Sequence, residues 1–156
     1  MNMLTFDSQY YTLYTVIAIV WYVLQAIGLW KMFTKAGEAG WKAIVPFYNI
    51  YILFKLTWQA NMFWVLILCA LGGALLFSLA MWNGLIMLAY ISYALTFVAG
   101  LIKAVLCYNI SLAYGHGLGY FIGLYLIDPI FIMILGFGKS QYIGNRYDQA
   151  KHQSTM

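Results

Sequence analysis

The sequence predicts an all-α integral membrane protein, a compact bundle of four to five transmembrane helices. Three observations predict it. Of 156 residues, 65% are hydrophobic and 8% charged, against about 25% charged in an ordinary soluble domain. A soluble fold of this size could not hide so much apolar surface, whereas lipid solvates it. The apolar residues come in runs near the roughly 20 needed to cross a hydrocarbon core. Side chains that anchor at bilayer interfaces are abundant, with 6 Trp and 14 Tyr.

The expected domain is residues 1–138, with spans at about 10–30, 43–57, 62–80, 85–107 and 120–136 and a polar tail at 139–156. The first run, residues 10–30, has Gln25 as its strongly polar residue. Residues 1–9 hold no Lys or Arg, and no small-residue cleavage site follows the run, so it reads as a retained span and not a cleaved leader. Asp7 precedes it and Lys31 follows, which puts the first residues outside and Lys31 inside.

Residues 31–42 form a polar loop broken at Gly37 and Gly40. Its cations Lys31, Lys35 and Lys42 are topology signals or contacts to anionic lipid headgroups. The segment from Ala43 to Leu56 is short for a span and contains Pro46 and Asn49. It is either re-entrant or a short crossing between Trp41 and Trp58. Asn49 would need a buried partner, since lipid offers none.

Residues 62–80 are a clear span, with Gly72 and Gly73 giving a smooth patch for close helix contact. Trp82 and Asn83 mark a tight turn, and the span at 85–107 has Lys103 near its end, able to snorkel to the surface. In G-H-G-L-G, at 115–119, the turn is flexible. Gly115, Gly119 and Gly123 recur every four residues, a tandem small-residue face if the helix begins early. Residues 120–136 are the last span, interrupted by Asp128-Pro129.

Five crossings would place six Lys/Arg inside and two outside; four, with the segment from Ala43 re-entrant, would place five inside and three outside. The larger imbalance favours five, with the tail cytoplasmic. The net charge of +4 is spread along segment ends without a basic run, so it implies no nucleic acid. Cys69 and Cys107 lie inside apolar runs, and neither a disulfide nor a metal framework is implied.

Asp128, Lys103 and Asn49 are the candidate intramembrane polar residues. A carboxyl in a span is expensive and marks a site until shown otherwise. Asp128 could pair with Lys103 or His116, cap a helix broken at Pro129, lie in an oligomer interface, or line an ion path. His116 has no ligand spacing around it. There is no Ser/His/Asp set, no paired carboxylates and no phosphate loop, so no enzyme and no cofactor is expected.

Three stretches carry a resemblance: K-A-G-E-A-G-W-K-A-I-V-P-F-Y-N-I-Y from Lys35, Y-N-I-S-L-A-Y-G-H-G-L-G-Y from Tyr108, and L-G-F-G-K-S-Q-Y-I-G from Leu135. Together they resemble the small bacterial multispan membrane proteins of the DUF5684 type, over most of residues 12–144. A similar segment precedes the protease region of some bacterial signal peptidases. This chain lacks the features that activity needs, so it is not carried over. The chain differs from the family pattern at His116, where a Lys is common, and at Asp128, where an apolar residue is usual. The resemblance implies a multi-pass protein of the bacterial cytoplasmic membrane.

Two roles follow as expectations. One is a non-enzymatic accessory, assembly or immunity-type factor acting by helix contact with a membrane protein or with itself, in contact with membrane lipid. The other is a homo-oligomeric channel or small transporter using Asp128.

Overall fold

The computed structural model describes residues 3–145, with side chains from Tyr10 onward. The polar tail beyond 145 lies outside the described residues. Among them are six α-helices, one 3-10 turn and no strand: α1 (Met3–Lys35), the turn Gly40–Ala43, α2 (Tyr48–Thr57), α3 (Ala60–Asn83), α4 (Ile86–Ala113), α5 (Leu118–Leu126) and α6 (Asp128–Phe137). Three stretches, Tyr10–Lys35, Ala60–Asn83 and Ile86–Ala113, are long and apolar enough to cross a membrane. At about 1.5 Å per residue, even the shortest reaches roughly 36 Å, more than the roughly 30 Å of hydrocarbon.

The segment from Ala43 to Leu56 does not traverse the bundle. After α1, a tight turn through Gly37 (φ 77) reverses the chain. Gly40 then presses on the Trp30 indole, where a Cβ would collide with the ring. The Tyr22 hydroxyl donates to the Ile44 carbonyl, so the chain has run back along α1 by about two helical turns. Pro46 and Phe47 (φ 64) reverse it again. α2 then returns to the starting level, where Lys55 reaches Glu38. The segment thus leaves one end of the molecule and returns to it.

Residues 120–136, expected as one span, are two helices folded into a hairpin. α4 ends at Gly115 (φ 77), with the His116 amide donating to the Ser111 carbonyl at 2.9 Å, the wide bond of a glycine C-cap. α5 runs inward for 9 residues and α6 runs back for 10. The break falls at Ile127–Asp128 because Pro129 has no N–H for a continuing helix but suits the first turn of a new one. The Tyr120 and Phe131 rings meet edge-to-face at 5.7 Å. His116 before α5 and Ser140 after α6 are bonded. Both ends of the hairpin are therefore at one level.

The ends of α1, α2, α4 and α6 and the starts of α3 and α5 thus gather at one end of the molecule, which we call the sealed end. The core lies there: Phe33, Phe54, Ile110, Leu124, Ile132 and Leu135 are buried together. Away from it, α1 stands apart from α3 and α4, which pair closely with each other. Packing inside the sealed end depends on glycines the sequence did not flag. A Cβ on Gly136 would lie 2.6 Å from the Gly28 carbonyl oxygen, and one on Gly28 would lie 2.7 Å from Ile132, so α1 and α6 touch backbone to backbone. Gly136→Val should therefore cost about 1–3 kcal/mol. Gly119→Ala, with open space at that position, should stay within about 0.5 kcal/mol. Thermal unfolding in detergent micelles reads both, and equal effects would refute the α1–α6 contact.

Candidate functional site

Residues 138–145 cross the sealed end as a strap. The Ile143 amide donates to the Ala113 carbonyl at 2.8 Å. The Tyr142 hydroxyl donates to the Leu56 carbonyl at 2.6 Å, and the Asn145 amide to the Trp58 carbonyl. Beside the strap, the Tyr114 hydroxyl donates to the Met32 carbonyl at 2.8 Å, and the Tyr114 and Tyr142 rings meet at 5.5 Å. The three motif stretches, far apart in sequence, are thus assembled into one structure.

The cations of the first loop are engaged within the chain. Lys35 Nζ donates to the carbonyls of Leu135 at 2.6 Å and Gly138 at 2.8 Å, closing the end of α6 with the positive charge that a helix C-terminus favours. Lys31 Nζ lies 5.7 Å from the Phe137 ring centre. Lys42 pairs with Glu38, and Lys55 reaches the other oxygen of that carboxylate at 2.9 Å. Glu38 therefore ties the inward and outward legs of the re-entrant segment. The hydrogen bonds and charges of Lys42 and Lys55 hold its carboxyl below the usual carboxylate range.

Lys103 and Asp128 come together as an ion pair, Nζ to Oδ2 at 3.7 Å. Asp128 opens α6 at the tip of the hairpin, and Lys103 sits in the C-terminal half of α4. Counted along their helices, Asp128 is about 14 Å and Lys103 about 15 Å from the sealed end. The pair is at the perimeter: 51% of the Lys103 side chain and 27% of the Asp128 side chain remain uncovered by this chain.

The other candidates are scattered. Asn49 opens α2, its amide donating to the Ala43 carbonyl at 3.2 Å. Its Oδ1 is buried without a partner. Gly73 allows α4 to approach α3, its notional Cβ falling 3.1 Å from Thr96 Oγ1, whereas Gly72 has ordinary contact with Leu95. Gly123 lies against the Phe131 ring. Gly115 serves as a helix cap, and Gly119 has nothing within 4 Å of its Cβ position. No continuous glycine face forms, because α5 starts at Leu118, after Gly115.

The structure also brings together a group that spacing could not reveal. His116 Nε2 stands 2.7 Å from Ser140 Oγ, and the imidazole stacks on Tyr120 at 3.7 Å. They border an open depression of about 460 Å³ together with Lys139 and Gln141. Among the described residues no three of His, Cys, Asp and Glu gather as metal ligands.

The chain belongs to the family of unknown function DUF5684, whose model matches residues 41–145, about two thirds of its length. The match begins at Trp41, so it takes in both re-entrant hairpins, the α3–α4 pair and the strap, and leaves α1 outside. No curated protein and no solved structure matches the chain.

Because the Glu38 carboxyl is held low, its ties stabilise the fold above the ordinary carboxyl value of 4.5 and are lost as pH falls through the lowered one. Glu38→Gln should lower the unfolding midpoint by a few degrees at pH 7. The difference from the parent should shrink as pH falls below 4.5, read by thermal denaturation across that range. A gap that persists in acid would assign Glu38 another role.

Proposed function

We propose that this DUF5684 protein is a non-enzymatic integral membrane protein that works by helix contact within the bilayer, as an accessory, assembly or immunity-type factor. The observation that supports it is the Lys103–Asp128 pair, set well back from the ends of its helices yet partly uncovered on its outer side. Charges at such depth are stable against protein or water, not against lipid tails. The monomer is therefore an incomplete cover for its own charges, and a membrane partner or another copy supplies the rest.

The arrangement in the membrane follows the same reading. In it α1, α3 and α4 are the crossings, three against the five favoured from the sequence, and the two hairpins enter from the sealed end. Lys31, Lys35, Lys42, Lys55 and Lys139 belong to that end, while the turn joining α3 to α4 has no charged residue. Retention of cationic segments puts the sealed end in the cytoplasm of a bacterial cell and the first residues outside. Three and five crossings both put the first residues outside and the tail inside; they differ at the start of α3, at the turn joining α3 to α4 and at the end of α4.

A second reading, an ion path between copies, draws on the same charge pair; flux through liposomes containing the protein would support it. The helix-contact reading is tested by mild detergent extraction at native expression with mass spectrometry of what accompanies the chain. A stoichiometric partner, or the chain itself as an oligomer, is expected. A bare monomer under all mild conditions would overturn it. Topology is tested with a membrane-impermeant maleimide on single-cysteine variants in a background with Cys69 and Cys107 replaced by alanine. Asn83→Cys should label in intact cells, and Asn61→Cys and Lys139→Cys after permeabilisation. Labelling of Asn61→Cys from outside would restore the five-crossing arrangement.

A further inference from the structure

Lys103 and Asp128 are at nearly equal depth on α4 and on the tip of the α5–α6 hairpin, side by side at 3.7 Å. Two copies in one membrane share their orientation, so a two-fold axis relating them runs along the membrane normal. Rotation about such an axis beside the pair carries each charge to the same depth on the other copy and reverses their lateral order. Lysine then faces aspartate and aspartate faces lysine. A patch of one positive and one negative group at a common depth is thus complementary to itself, the property an isologous interface requires.

The surface around the pair suits close approach. Gly100 lies one turn before Lys103 on α4, has no positive φ, and has nothing within 4 Å of its Cβ position. No contact within this chain calls for its small size, and small residues are what let helices approach in lipid. Leu126 and Ile127, beside Asp128, are exposed and supply apolar contact at the same level.

We propose that this face is the interface of a homodimer, in which the two Lys103–Asp128 pairs form a four-charge cluster across the axis. The inference rests on the reading that protein covers the pair, and it names that protein as a second copy of this chain. In the dimer each ammonium, which has three donors, gains a second carboxylate, and the uncovered sides of both charges are closed off from lipid.

Exchange of charge between copies supplies the test. The full chain carrying one of two affinity tags is co-expressed with the chain carrying the other, extracted gently, and recovered through one tag. Wild type should recover wild type. K103D alone and D128K alone place like charges at the interface, and self-recovery should fall on the order of tenfold. Co-expressed with each other, K103D and D128K bring two carboxylates against two ammoniums, and mixed recovery should return to near the wild-type level. Mixed recovery no better than either variant with itself would overturn the homodimer. Should neither variant fold, Ile127→Cys with wild-type charges and the native cysteines replaced decides. A covalent dimer under mild oxidation is expected, and its absence would overturn the proposal. Wild-type copies that fail to recover each other but bring down a different membrane protein overturn the homodimer and leave the helix-contact reading standing. Copies that recover nothing overturn both.

Discussion

The architecture depends on one constraint: inside hydrocarbon, a backbone N–H or C=O without a partner is very costly. Long helices satisfy it by themselves, but each re-entrant hairpin interrupts the helical ladder twice, and every interruption frees carbonyls. Several side-chain hydrogen bonds of this chain go to carbonyls at these breaks. Tyr22 takes up the Ile44 carbonyl, Asn49 that of Ala43, Tyr142 that of Leu56 and Lys35 those of Leu135 and Gly138, while Tyr114 adds a second donor to the Met32 carbonyl. Several of these donors are aromatic hydroxyls or a long ammonium, side chains whose apolar bodies contribute to the core while the polar tip reaches a carbonyl. The abundance of tyrosine, read from sequence as interfacial anchoring, is partly this internal work.

The same constraint explains what could and could not be read from sequence. The long helices were legible because length and apolarity suffice to identify them. The two hairpins were not, because an apolar run has no direction: 17 residues from 120 to 136 look like one short span until the chain is seen to double back at Asp128–Pro129. The proline was visible, but whether it kinks a helix or starts a new one depends on what the returning leg meets. Gly123 against Phe131 and Gly136 against Gly28 supply that. Glycine spacing misled for a related reason. Gly115, Gly119 and Gly123 are evenly spaced in sequence, yet one is a cap, one stands open and one is a contact. The pairing of Lys103 with Asp128 was one of several alternatives in the sequence. Only the hairpin fold selects it, by bringing the start of α6 to the level of Lys103. The His116–Ser140 contact spans 24 residues and both legs of the hairpin, and no local pattern marks it.

Charge follows the fold closely. With both hairpins folded back to the sealed end, Lys55 joins the cations of the first loop through Glu38. Among the described residues, Lys31, Lys35, Lys42, Lys55 and Lys139 thus gather at the sealed end, and Lys103 pairs with Asp128 away from it. The sealed end also draws rigidity from these charges. Lys35 fastens α6 to α1, and Glu38 fastens α2 to the turn before it. Cations that orient a chain during insertion are therefore reused as ties in the finished structure.

That economy does not extend to the Lys103–Asp128 pair. An ion pair removed from water repays its desolvation only with good geometry and further partners. At 3.7 Å, with about half of the Lys103 side chain and a quarter of the Asp128 side chain uncovered, this one has neither within the monomer. Its removal in favour of two apolar residues would cost the isolated chain little. The asymmetry of the molecule gives the pair its sense. One end is closed by a strap, a buried core and backbone-to-backbone contacts; at mid-depth, where the hairpin tip ends, the chain stops providing cover. A fold that satisfies carbonyls at its breaks, and leaves an ion pair partly covered at the boundary of its core, places the next contact at that boundary.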